Sequence, residues 1–222
     1  MENTVILLDD LERDALTELV NIGVSTAAST LRMMIGDQVL LSVPAVELLD
    51  RASAASLIGE RESEKLVAVK QDFTGAINGR AMLIFPQANS LELVRAVAGE
   101  AVSAAEAEEM ETEALAETGN VILNGCLGTM ANMLHRTLVM SLPEVVRGDG
   151  PSLFQAEISA DDDGLVLFLY INFLVKRRNI RGYIAMLLDM PSVHALKLLI
   201  GEFIAGVMND VDVLEIAAQA GP

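Results

Sequence analysis

The sequence predicts an α+β fold. It would be a single domain over residues 1–222 with internal pseudo-twofold symmetry, an antiparallel sheet of about six strands and two long helices on one face. Three observations carry this. Two long stretches, at about 10–35 and 106–136, keep apolar residues at helical spacing. Short β-branched and apolar runs, bounded by turn residues, follow each of them. The order of elements then recurs, so that residues of about 10–100 and 106–204 read as two copies of one unit.

In the first helix, Leu16, Leu19, Val20, Gly23, Ala27, Leu31 and Met34 share one side. Glu18, Asn21, Ser25, Ser29 and Arg32 share the other, and Gly36 ends the helix. Val39 to Val46 reads as a strand interrupted by Pro44. Residues 47–63 form a mixed connection with short helical potential. Leu66 to Phe73 and Arg80 to Phe85 are strands joined around Gly75 to Gly79, a hairpin signal. Pro86 opens a helix near Asn89 to Gly99.

The second half repeats this order. Its long helix has Leu115, Ile122, Cys126, Met130 and Met133 on the apolar side. Glu113, Glu117, Asn120, Asn124 and Gly128 lie opposite. Leu138 to Pro143, Phe154 to Ser159, Leu165 to Phe173 and Gly182 to Leu188 read as strands, with a turn at Asp161 to Gly164. The strands at Gly79 and Gly182 match at an offset of 103. Pro191 opens a helix near Ser192 to Ile200, and the apolar-acidic segment 201–222 is expected to pack on the core. A further C-terminal assembly domain is not expected.

Composition narrows the function classes. A formal charge of −17, from 32 acidic and 15 basic residues, repels nucleic-acid phosphates and anionic lipid. Cys126 is the single cysteine, so an intrachain disulfide is impossible, which suits a reducing compartment. The N-terminus lacks a basic leader region, and the strongest apolar run, Leu165 to Val175, is too short to span a bilayer. A cytoplasmic protein is expected.

What the repeat keeps includes chemistry as well as core. Glu18 and Asn21 recur as Glu117 and Asn120, 99 positions on, and each asparagine is followed 23 positions later by a proline, Pro44 or Pro143. Spacing of i and i+3 sets each carboxylate and carboxamide on one helical face. Asparagine costs about 0.5 kcal/mol against alanine in an exposed helix interior, so placing it there twice requires a reason.

This constellation resembles the CheC/CheX/FliY family of phosphatases acting on the phosphorylated response regulator CheY, and is nearest in organisation to CheC. The family motif is Asp or Ser, three residues, Glu, two residues, Asn, 22 residues and Pro. Asp14, Glu18, Asn21 and Pro44 meet it in full. Glu117, Asn120 and Pro143 meet it in the second copy, where Glu113 departs from the first position. Phe73 to Met82 resembles the family's sheet hairpin.

The resemblance implies that Asn21 and Asn120 orient the water attacking an aspartyl phosphate, while Glu18 and Glu117 anchor a CheY-like regulator. It implies no cofactor of the protein's own, with Mg2+ arriving in the regulator, and CheD as a possible second partner. Small residues beside the motifs, Ser25, Ala28, Ser29, Gly128 and Ala131, would let a partner approach closely. The alternative is a non-catalytic chemotaxis adaptor binding the CheD deamidase or a flagellar-switch partner.

Other residues read as structural. Cys126 lies on the apolar side of its helix. His135 and His194 have no neighbouring Cys or His to form a metal site, and none is expected. The acidic run Glu106 to Glu113 suits a helix N-terminus.

Overall fold

The protein is described from a computed structural model over residues 8–43, 46–62, 65–98, 103–155, 164–175 and 178–219. Helix α1 (Asp10–Ile35) begins at a capping box. The Asp9 carboxylate accepts from the Glu12 amide at 2.8 Å, and the Glu12 carboxylate accepts from the Asp9 amide at 2.9 Å. Gly36 closes the helix at φ 68°, a left-handed conformation that needs no Cβ. Then come β1 (Val39–Ser42), β2 (Val46–Asp50), α2 (Arg51–Arg61), β3 (Leu66–Gly75), β4 (Gly79–Pro86) and α3 (Gln87–Ala98).

The second half opens with α4 (Ala104–Met133), again from a capping box, here between Ser103 and Glu106. It continues through β5 (Leu138–Met140), β6 (Glu144–Gly148), α5 (Gly150–Gln155), β7 (Leu165–Val175), β8 (Arg178–Leu188) and α6 (Met190–Gln219).

All strands join one antiparallel sheet in the order β1-β7-β8-β4-β3-β5. Among the described residues it has eight strands where about six were expected. The difference lies at the rims. β1 and β2 both pair with β7, and β5 and β6 both pair with β3, so each outer position is one strand broken in two. Pro143 sits in the second break and has no N–H to give a ladder. Pro44 lies outside the described residues.

The register defines the internal symmetry. Leu41 faces Phe173, and Met140 faces Phe73. Val46 faces Leu169, and Val145 faces Val69. The helix and the strands after it therefore repeat at 99, and β3 maps onto β7 at 100. Gln71 corresponds to Ile171.

Side chains alternate across the sheet. One face, with Val67, Val69, Phe73, Leu83, Phe85, Leu167, Leu169, Ile171 and Phe173, is buried under α1, α3, α4 and α6. The other, with Leu66, Ala68, Met82, Ile84, Val166 and Phe168, is covered by Ala54 and Ile58 of α2 and by Leu153 and Phe154 of α5. Each large apolar side chain taken from water contributes about 1.5–3 kcal/mol, so both layers hold the sheet in place.

Three readings need correction. Phe154 to Ser159 is not a strand where described: α5 runs to Gln155, led by Gly150 and Pro151, while residues 156–163, including the aspartate turn, lie outside the described residues. The offset of 103 for Gly79 and Gly182 gives way to the register, which sets Gly182 opposite Ile171 and Ala81 opposite Gln71. The segment after residue 200 packs on the core only at its start, through Phe203 and Ile204. It prolongs α6, with Phe203 and Ile204 half-buried and residues 205–209 exposed. Within this helix Met190–Asn209 is long and apolar enough to cross a membrane, and 28% of that window is buried.

Candidate functional site

The two motif helices lie side by side because small residues let their backbones meet. A Cβ on Gly23 would stand 2.7 Å from the Cys126 carbonyl oxygen, and one on Gly125 would stand 3.0 Å from the Ala27 Cβ. α4 also seats on the sheet through Gly119, where a Cβ would lie 2.6 Å from Val69 Cγ1. These contacts fix both motif faces to one rigid frame.

In the first copy, Glu18 is exposed and Asn21 half-buried. They line an open groove with Ile22, Ser25, Thr26 and Ser29. The Thr26 and Ser29 hydroxyls donate back to the carbonyls of Ile22 and Ser25, at 3.0 and 3.1 Å. The Asn21 carboxamide makes no hydrogen bond to another described residue. Asp14, four residues earlier, is exposed.

In the second copy, Glu117 is exposed and Asn120 half-buried, but the carboxamide is held. Gln71 Nε2 donates to Asn120 Oδ1 at 3.0 Å, and Asn124 Nδ2 donates to the same oxygen at 2.7 Å. Gln71 Nε2 also donates to the Ser141 carbonyl at 2.9 Å. That carbonyl lies at the break before Pro143, where the pairing of β3 passes from β5 to β6, so the glutamine satisfies a group the interrupted ladder leaves over. The proline spacing thus has a physical meaning: it opens the rim of the sheet beside the asparagine. Around the break Asp72 N–H donates to Ser141 Oγ at 2.9 Å, and Leu142 is 89% exposed.

Of the small residues expected to flank the motifs, Ser25, Ser29 and Gly128 are accessible. Ala28 and Ala131 are buried within this chain, Ala131 in the wall of an apolar cavity with Leu127, Leu134 and Leu199. Cys126 is fully buried, and desolvation pushes its thiol up to about 12, so it carries no thiolate chemistry. Among the described residues no group of three or more His, Cys, Asp or Glu could hold a metal. In the acidic run, Glu106 is a cap, but Glu111 is buried between helices. It accepts from Ser90 Oγ and Arg147 Nη2, both at 2.7 Å, tying α3, α4 and β6 together.

Gln71 is the site residue the sequence reading missed. Its signal was available: Val67, Val69, Gln71 and Phe73 occupy alternate positions of one strand face, and only Gln71 is polar.

The Chemotaxis phosphatase CheX family profile matches residues 67–161, and the CheC-like family profile matches residues 11–48. The chain is 24% identical over 184 residues to CheC1 of Halobacterium salinarum, assigned as a CheY-P phosphatase, covering 74% of this chain and 91% of that protein. It is 24% identical over 161 residues to the flagellar motor switch phosphatase FliY of Bacillus subtilis, covering 72% of this chain but 42% of that larger protein. In fold it is similar to FliY of Thermotoga maritima, with a TM-score of 0.69 at 17% identity over 89% of this chain and all of the other. It also resembles the FliM middle domain of H. pylori, with a TM-score of 0.56 at 8% identity over 86% and 99% of the two chains.

Proposed function

We propose, from the premise that the chain belongs to the CheC/CheX/FliY family, that it is a chemotaxis phosphatase hydrolysing the aspartyl phosphate of a CheY-like response regulator. The observation carrying this is the double placement of a half-buried carboxamide beside an exposed carboxylate, on two helices locked to one sheet.

Hydrolysis adds the oxygen of one water to phosphorus and breaks the bond from phosphorus to the aspartyl oxygen. It returns a carboxylate and inorganic phosphate. Phosphoryl transfer requires little covalent help from the protein; positioning dominates. Asn21 and Asn120 present amides whose polar ends can hydrogen-bond a water and hold it in line with the leaving oxygen. Glu18 and Glu117, exposed on the same faces, would pair with a cation of the regulator and set its register. Magnesium is assigned to the regulator in this reading, and the chain acts in the cytoplasm. CheD is a second candidate partner, tested by direct binding.

Decay of phospho-CheY is the assay. Asn21→Ala and Asn120→Ala together should abolish the acceleration, a loss of about a hundredfold or 2.7 kcal/mol. Full activity in the double variant would refute the assigned roles. CheD binding with no effect of the wild type on phospho-CheY lifetime would favour the adaptor.

A further inference from the structure

We infer that Gln71 is a positioning residue that makes the two sites unequal: it turns the Asn120 carboxamide so that its oxygen faces inward and only its NH2 group meets the partner. This deepens, and rests on, the phosphatase reading above.

The orientation follows from the network. Asn120 Oδ1 receives two donors, Gln71 Nε2 at 3.0 Å and Asn124 Nδ2 at 2.7 Å, which fill its two lone pairs. The Gln71 amide is itself pinned, because Nε2 also meets the Ser141 carbonyl at 2.9 Å and a carbonyl can only accept. Asn120 is thereby left with two N–H donors and no free acceptor. Asn21 has no such restraint from another described residue and can offer either end of its amide.

Satisfying the Ser141 carbonyl does not by itself account for the glutamine. At the equivalent position beside the first motif helix stands Ile171, 1% exposed, on the same face of the equivalent strand. The architecture is built there without a polar group. Gln71 is equally buried at 1%, yet its Oε1 has no partner, and neither does Asn124 Oδ1. Each unpaired buried acceptor costs stability. The second site thus carries two such costs, absent at Ile171, and holds one exposed-face amide still. Asn124 likewise has Ser25 as its counterpart at the offset of 99, a side chain too short to reach one turn back.

Holding the amide in advance removes a rotor that would otherwise be ordered during reaction, so the effect belongs in kcat rather than in binding. The test isolates the second site with Asn21→Ala and adds Gln71→Ile, the residue the fold accepts at the matching position. We expect kcat for phospho-CheY hydrolysis to fall about tenfold with KM within about twofold. Unchanged or raised kcat, or a rise in KM alone, would overturn the inference. Should Gln71→Ile fail to fold, Asn124→Ser carries the same test. A second readout needs no activity: the Asn120 side-chain NH2 should show restricted motion by 15N relaxation in the wild type and free motion in Gln71→Ile. Equal mobility in both would also overturn it. A wild-type chain that leaves phospho-CheY lifetime unchanged would sink the phosphatase reading alone, with the NMR result still deciding whether the clamp exists.

Discussion

Replacing Gly119 by alanine tests whether the seat of α4 on the sheet sets the second site. The added Cβ would lie 2.6, 2.7 and 2.8 Å from Val69 Cγ1, Cβ and Cγ2. Carbon atoms pack at about 3.5–4.0 Å, so the deficit is about 1 Å. Rotating Val69 does not remove it, because its own Cβ is among the clashing atoms. Overpacking of this kind costs about 1–3 kcal/mol, while alanine gains about 1 kcal/mol over glycine in a helix interior. With no rotamer escape the upper part of the range applies, leaving a net loss of about 1–2 kcal/mol. For a chain of this size that is a fall in Tm of roughly 2–8 °C. Thermal and urea unfolding followed by circular dichroism measure it. Retreat of α4 by about 1 Å would also break the 3.0 Å Gln71–Asn120 bond. Activity should therefore fall in an Asn21→Ala background and persist in an Asn120→Ala background. A Gly119→Ala protein as stable as the wild type, with both sites intact, would refute the reasoning.

Three further outcomes are expected. Cys126 should resist thiol reagents at pH 8 until the chain is unfolded; because burial raises its thiol from 9.0 to about 12, the folded state favours the protonated form, and stability should fall as pH rises above 9.0. Glu111→Ala should cost about 1–3 kcal/mol in urea unfolding, since it removes two short hydrogen bonds and leaves Ser90 only the Gln87 carbonyl and Arg147 only the Thr112 hydroxyl. Arg80, donating Nε to Asp72 at 2.6 Å, holds the Asp72 carboxyl below its ordinary 3.8. Its contribution is present above that value and lost as pH falls through the lowered one, so Asp72→Asn should flatten the acid limb of the stability profile. The pair is half-exposed and screened, so the change stays under about 1 kcal/mol.

The sequence declared the helices and concealed the rims. α1 was legible to within a residue because apolar spacing marked its body and Gly36 its end; the Asp9–Glu12 capping box, visible only in the structure, closes the other end. Both motif faces followed from 3.6-residue spacing alone. The rim strands were not separable, because a break is defined by the partner strand's register, which no local pattern encodes. α5 was misread because Phe154 and Leu153 are buried against α2, and a short apolar run does not say whether a helix or a strand buries it. The extent of α6 was hidden for the opposite reason: beyond Phe203 and Ile204, which touch the core, its described residues 205–209 are largely apolar yet exposed. The Gln71–Asn120 bond joins residues 49 apart, and only the folded sheet brings them together.

The interrupted margins have a consequence for solubility. A sheet with free lateral strands offers a row of unpaired amides and carbonyls on which another chain can be templated. Here the margin formed by β5 and β6 presents only three and five residues on either side of Pro143, too short and too bent a rail for a foreign strand to zip along. The same kink that sets a carbonyl in front of Gln71 therefore also guards the molecule against its own copies. Straightening it would expose an aggregation-prone border at the very place where the second carboxamide is aimed.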